Sequence, residues 1–415
     1  MTENEIKTLD AMHVMQTYAR FDAVIDHGNG ATLYSPEGKE YIDFTSGIGV
    51  NSVGYGNKGL ADAVYAQTMK LQHISNLYYS EPYVRLAKEL SGRTGFKNVF
   101  FSNSGAEANE GMIKLARKYS FDKYGRGRNT IVSLEQSFHG RTITTLAATG
   151  QDAFHNYFFP FTEGFRHVPA NDVKALEALL DTFAATAVND GTSALKPVLP
   201  MSGVCAVVIE IIQGEGGVLP LDPVYVKDLA DLCADRDILL LIDEVQTGAG
   251  RTGTLFAYQQ YDIVPDAISF AKGIAGGLPL GGFVSGEKCS AVLTAGTHAS
   301  TFGGNPVAAA AALEVLRQLD DDALSTVTEK GKYIKEKIQG WNSPAIGDIR
   351  GRGLMVGIPL LGVDHKGVAK ACVANGLLIL TAGSDALRML PPLTISYEEI
   401  DKGLAILKAT LGELL

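Results

Sequence analysis

The stretch ILLLIDEVQTGAGRTG, residues 238–253, sets a carboxylate where chemistry could use one. Its apolar run suits a buried strand, and Asp243 sits immediately at the carboxyl end. A carboxylate beside a ligand crevice must be paired or hydrogen-bonded, because an isolated buried charge is very costly. Aspartate also begins many helices, so a cap and a chemical role fit this spacing equally well. A second apolar run, in AISFAKGIAGGLPLGG (267–282), leads to Lys272 among small residues and glycines. Lysine is poorly suited to burial unless paired or neutralised. Once desolvated, it is a good amine nucleophile towards a carbonyl. A surface lysine after a strand is the commoner case, but the glycines beyond it let backbone approach a bulky ligand closely.

Four further segments carry usable groups. In VFFSNSGAEANEGMIKLARKY (99–119) a strand runs into Ser104-Gly105-Ala106, and a helix opens with Glu107. Free N–H groups at a helix start beside a Ser-Gly turn form a cup for phosphate. Ser104 with Glu107 three residues on is also the capping-box spacing, and one helix end can serve both purposes. SFHGRT (137–142) offers Phe138 and His139 as flat partners for a ring and Arg141 as a fork for a carboxylate. Core packing is the commoner fate of such an aromatic. EIIQGEGGV (210–218) places Glu210 and Glu215 about a glycine turn, and LRMLPPLTIS (387–396) brings Arg388 into a proline-rich loop, where a solvated arginine is usual. There is no GxxxxGK[ST] loop, and the Gly351/Gly353 pair reads as a turn, so nucleotide binding has little support.

The elements that must hold these groups alternate along the chain. Residues 23–50 read as short strands with turns, punctuated by Gly28-Asn29-Gly30 and Pro36-Glu37-Gly38. Helical patterns cover 81–91, 106–120, 172–185 and 223–236, and strand-like apolar runs cover 98–102, 129–134, 204–210, 238–243 and 266–270. That alternation implies an α/β fold with a mostly parallel sheet sandwiched by helices. After Gly303-Gly304-Asn305-Pro306 come helices over 307–318 and 322–340, and then Arg350-Gly351-Arg352-Gly353 as a turn entering the strand LMVGIPL. The expected division is a large ligand-binding domain, 59–305, and a smaller α+β domain built from 1–58 and 306–415. The crevice should lie at the carboxyl ends of the parallel strands, against the smaller domain.

Composition agrees with a folded globular protein: of 415 residues 46% are hydrophobic, 20% charged and 46 are glycine. A net charge of −10 argues against a nucleic-acid partner, which needs a basic face, and leaves small anionic substrates open. The polar start MTENEIKTLD lacks the layout of a signal peptide, and no apolar run approaches the roughly 20 residues of a bilayer span. Cys205, Cys233, Cys289 and Cys372 lie far apart with no metal spacing, so reduced thiols, no metal site, no membrane partner and a cytoplasmic location are expected.

Seven segments, in order along nearly the whole chain, resemble the class III (ω-amino) aminotransferases of the fold-type I pyridoxal-phosphate enzymes. They are FFSNSGAEANEGMIKLARKY, SFHGRTITTLAATGQ, IIQGEGGV, LLLIDEVQTGAGRTG, FAKGIAGGLPLGG, STFGGNP and LRMLPPLTI. The chain differs in reading Gly54-Tyr55-Gly56-Asn57-Lys58 where members often have Gly-His-x-His-Pro, and Ile211 where proline is usual. NLYYSEP (76–82) looks like the acetylornithine branch and is expected near the side-chain end of the substrate. That branch moves the terminal amine of N2-acetyl-L-ornithine to 2-oxoglutarate in arginine biosynthesis. Ornithine, succinylornithine, 4-aminobutyrate or an acylated lysine are the alternative donors. An aminomutase or a non-catalytic binding protein of the same fold are remoter ones.

The resemblance implies a role for each group. Lys272 carries pyridoxal 5'-phosphate as a Schiff base, and Asp243 pairs with its ring nitrogen. Val245 and Phe138 cover the two ring faces, His139 lies beside them, and Gln246 is near the ring hydroxyl. Ser104, Gly105 and Ala106 bind the phosphate, and Thr301 completes that cup from the neighbouring subunit of a homodimer. Arg141 takes a substrate carboxylate. Glu215 pairs with Arg388 and swings away when 2-oxoglutarate needs that arginine; a mutase would have no use for such alternation.

Overall fold

The computed structural model describes residues 1–187 and 203–414. Its centre is a seven-stranded sheet in the order Asn98–Ser102, Gly281–Ser285, Ala267–Phe270, Leu239–Asp243, Val204–Ile209, Thr130–Leu134, Phe165–Val168. Six strands run parallel, and Gly281–Ser285 runs antiparallel to both its neighbours. Alternate side chains of each strand feed different cores. Leu239 and Leu241 pack with Met112, Ile113 and Ala116 of the helix Gly105–Tyr124. Leu240 and Ile242 join the core that holds Leu86, Leu90, Val226 and Leu229, from helices Glu81–Thr94 and Pro223–Asp235. Helices thus cover both faces, which is why the strands read as continuous apolar runs rather than alternating ones.

The helices begin where local chemistry lets them. Asp222 and Asn305 accept N–H groups of the first turns of their helices, and Pro223 and Pro306 occupy first positions where no N–H is needed. Two further sheets have four strands each. In the first, His27–Asn29, Thr32–Tyr34 and Glu40–Asp43 form an antiparallel meander, and Leu377–Leu378 joins it in parallel from the far end of the chain. The second is antiparallel and comprises Arg350–Arg352, Met355–Pro359, Ala386–Met389 and Leu380–Ala382.

Two expectations change. Arg350–Arg352 is a strand, not a turn, and the reversal is confined to Gly353-Leu354, with Gly353 at φ +51°. Gly351 is there because a Cβ would lie 1.9 Å from the Met355 carbonyl oxygen, leaving no room for a side chain between paired strands. The strand Gly281–Ser285 was not anticipated. Side chains at Gly281 and Gly282 would strike the backbone of Ser104 and Phe100 at 2.5 and 2.2 Å, so these glycines admit neighbouring backbone rather than a ligand. No helix among the described residues is long and apolar enough to cross a membrane, and all four cysteines are buried and unpaired.

Candidate active site

Because the six parallel strands point one way, the residues just past their carboxyl ends gather at one edge. There a cavity of about 430 Å³ is lined by Asp243, Lys272, Ser104, Gly105, Ala106, Phe138, His139, Arg141, Val245 and Gln246. The antiparallel strand contributes from its amino end, where Leu278, Pro279 and Leu280 complete the wall.

Asp243 is the last residue of its strand and caps no helix. Its Oδ2 accepts from Asn109 Nδ2 at 2.7 Å and lies 2.8 Å from His139 Nδ1, while Oδ1 accepts from the Val245 N–H at 3.0 Å. Burial alone would raise this carboxyl. The hydrogen bond and charge of His139, with the Val245 and Asn109 donors, hold it below the ordinary carboxylate range instead. Burial likewise opposes a charge on His139, but the bond to Asp243 raises the imidazole above its usual value. Glu210, fully buried behind them, is pushed up to about 7 by desolvation and receives the N–H groups of Phe138 and Gly214 at 2.9 and 3.2 Å.

Lys272, two residues past the strand Ala267–Phe270 and the first of a 3-10 turn, has φ +46°, a left-handed backbone that non-glycine residues seldom adopt. Such strain persists only where surrounding structure enforces it, and it clusters at functional sites. Burial lowers the amine below ordinary lysine, although the Glu215 carboxylate pulls the other way. Among the described residues, no partner within hydrogen-bonding or ion-pairing distance holds it.

Ser104 caps the helix Gly105–Tyr124 by accepting the Glu107 N–H at 3.2 Å. The reciprocal arm differs from a capping box: the Glu107 carboxylate takes the Asn103 N–H at 2.6 Å, one residue earlier. The N–H groups of Gly105 and Ala106, at the first two helical positions, have no acceptor within the helix, and both residues line the cavity. A Cβ on Gly105 would lie 2.7 Å from Val245 Cγ1, so only glycine lets the helix start come this close to the strand end.

Arg388 and Glu215 form an ion pair at 2.8 Å, with Arg388 buried in the strand Ala386–Met389. The same guanidinium donates to Gln246 Oε1 at 3.2 Å, which ties the pair to the cavity wall. Glu215 itself faces an adjoining polar cavity of about 660 Å³. Thr301 lies on an exposed turn outside its own chain's cavity. The segment 76–82 also stays outside it, with Asn76 Nδ2 bound to the carbonyls of Ser300 and Gly303 at 3.0 and 3.1 Å.

Two residues at the site were missed. Asn109 holds Asp243, and the available signal was a polar residue within the apolar stripe Ala108, Met112, Ile113 of its helix. Phe154 stacks on Arg141 from a short 3-10 helix and carried no signal of its own.

The residue set fits pyridoxal phosphate. An anchored, ionised carboxylate, an unpartnered desolvated amine, free helix-start N–H groups and apolar walls from Phe138 and Val245 share one cavity.

Known proteins resemble this chain along its length. The family model for class III aminotransferases matches residues 14–411. Acetylornithine aminotransferase from Haemophilus ducreyi is 49% identical over 417 residues, covering 100% of both chains. Its counterpart from Caldanaerobacter subterraneus is 42% identical, covering 98% of this chain and 99% of that one. Among solved structures, ornithine aminotransferase from Toxoplasma gondii superposes with a TM-score of 0.90 at 31% identity, covering 100% of this chain and 96% of that one. N-acetylornithine aminotransferase from Stenotrophomonas maltophilia gives a TM-score of 0.81 at 33% identity, with 98% of each chain covered.

Proposed function

Since the chain belongs to the class III aminotransferases and is a pyridoxal-phosphate-dependent transaminase, we propose that it transfers the terminal amino group of N2-acetyl-L-ornithine to 2-oxoglutarate. The products are N-acetylglutamate 5-semialdehyde and L-glutamate. The observation that carries the reading is the closed Glu215–Arg388 pair at 2.8 Å beside an Arg141 that makes no hydrogen bond or ion pair to any described residue. An arginine free in the cavity, with a second one blocked behind the Gln246 wall, suits a donor that binds by a distant carboxylate and presents a terminal amine.

When bound, pyridoxal phosphate supplies an aldehyde that takes up the amino group and a ring that draws electrons from the carbon bearing it. The chain's own residues do the rest in this reading. Asp243, kept ionised by His139 and Asn109, would hold a proton on the ring nitrogen. Phe138 and Val245 would flank the ring, His139 and Gln246 would border it, and Ser104, Gly105 and Ala106 would receive the phosphate; all seven line the cavity. Lys272, its amine lowered by burial, would take the proton from the carbon carrying the donor's terminal amine and deliver it to the carbon of the cofactor's former aldehyde, as a general base then acid. Arg141 receives the donor's carboxylate. When 2-oxoglutarate arrives, Glu215 moves off and Arg388 receives the α-carboxylate.

In this reading residues 59–305 are the cofactor-binding domain, 1–58 and 306–415 form the second domain, and the enzyme works in the cytoplasm as a homodimer. Support for the dimer comes from a surface on which Leu77, Tyr79 and Phe302 are 85%, 99% and 61% exposed, beside Thr301. Apolar side chains so bare and so close are usual where another subunit packs. Thr301 of the partner subunit would then complete the phosphate cup.

The structural likeness to ornithine aminotransferase makes ornithine the second candidate donor. A panel of N2-acetyl-L-ornithine, succinylornithine, ornithine and 4-aminobutyrate, each with 2-oxoglutarate and read as glutamate formed, decides between them. The highest kcat/KM should fall to acetylornithine, and a lead for ornithine would overturn the assignment.

A further inference from the structure

Among the described residues, Arg141 is held by rings alone. Its Cζ lies 4.1 Å from the centroid of Phe154 and 5.6 Å from that of Phe138. The two rings meet edge to face, with centroids 5.8 Å apart at 75°. An arginine with no anionic or hydrogen-bonding anchor samples many rotamers, and a substrate carboxylate must then overcome that freedom on binding. A face-on aromatic platform removes part of it while leaving every guanidinium N–H free to donate.

The platform is itself fixed. Phe154 ends the 3-10 helix Asp152–Phe154, whose preceding residue Gln151 donates through Nε2 to the Ser137 carbonyl at 3.0 Å. The Gln136 N–H donates to the Gly150 carbonyl at 2.7 Å, and the Gly150 N–H to Ser137 Oγ at 3.1 Å. On the other side, His155 Nε2 lies 2.9 Å from the Leu146 carbonyl oxygen. The loop bearing Phe154 is thereby stitched to the loop bearing Phe138 and Arg141.

We propose that Phe154 is a positioning residue for substrate binding: its ring pre-orients the Arg141 guanidinium to receive the carboxylate of the amino donor. The inference rests on the assignment of Arg141 to that carboxylate. The test compares N2-acetyl-L-ornithine with N-acetylputrescine, the same donor without its carboxylate, in Phe154→Leu, Phe154→Met and Phe154→Tyr. The Leu and Met variants keep apolar volume and remove the π face; Tyr keeps the face. Leu and Met should each raise the KM for acetylornithine by about 3- to 10-fold, with kcat within about twofold. They should leave kcat/KM for N-acetylputrescine unchanged, and Tyr should restore the KM. In an Arg141→Ala background, Phe154→Leu should add nothing. Equal losses on both donors, or a full added loss in that background, would overturn the proposal. If Arg141→Ala still separates the two donors, the role given to Arg141 falls and this inference with it. If Arg141→Ala abolishes the separation while the Leu and Met variants behave as the parent enzyme, only the role of Phe154 falls.

Discussion

In the proposed reading, substrate alternation turns on Glu215. Its carboxylate sits between two options, the buried Arg388 at 2.8 Å and an adjoining polar cavity of about 660 Å³. Although burial would raise it, the charge and hydrogen bond of Arg388 hold it below the ordinary glutamate range, so it remains an anion at neutral pH. Removing it leaves Arg388 permanently open, able to capture an α-carboxylate wrongly during the donor step. Glu215→Ala should therefore slow the half-reaction with acetylornithine at least about tenfold more than the half-reaction with glutamate, an energy difference of roughly 1.4 kcal/mol. Single-turnover measurements of the two halves check this, and equal loss in both would contradict it.

At the scale of elements, the segment after the Asp243 strand depends on Glu244. This fully buried carboxylate accepts the Ala257 and Tyr258 N–H groups at 3.0 and 2.7 Å and the Thr247 hydroxyl, pinning the loop that returns from residue 244 to 258. Burial pushes its carboxyl up to about 7 despite those donors. The folded-state value lies above the unfolded one, so the folded protein holds the extra proton between them. Stability is then fully present below the unfolded pKa and is lost as pH rises from there through about 7. The loss is on the order of 3 kcal/mol. Glu244→Gln should flatten the fall in apparent Tm between pH 5 and pH 8.5, and an unaltered slope would show that Glu244 is not its source.

For the whole molecule, the exposed turn carrying Thr301 and the loop carrying Leu77 and Tyr79 are joined through Asn76 and belong to one face. If Thr301 serves the partner's phosphate cup, two inactive variants should complement each other. Lys272→Ala and Thr301→Asp, unfolded and refolded together or co-expressed, form mixed dimers in which one site keeps both native residues. Activity should rise well above the sum of the separate preparations. No rise, with mixed dimers demonstrated by mass, would place Thr301 in its own chain's affairs.

Much of the fold was legible in the chain because a strand buried on both faces is written as an unbroken apolar run, as in Ile238–Ile242, and a helix start as a cap and a small residue, as in Ser104-Gly105. The sequence alone therefore located the strand ends and the polar groups just beyond them, and its ordered motifs identified the family that the matching model spans over residues 14–411. Strand order was not written there. It took the parallel arrangement to bring residues as remote as Ser104, Phe138, Asp243 and Lys272 to one edge, and the antiparallel Gly281–Ser285 stayed hidden because glycine fits both a loop and a crowded pair of strands. Asn109 and Phe154 escaped notice for a related reason. Each matters through a partner on another element, Asp243 for Asn109 and Arg141 for Phe154, and only tertiary packing decides which amide or ring meets a charged group.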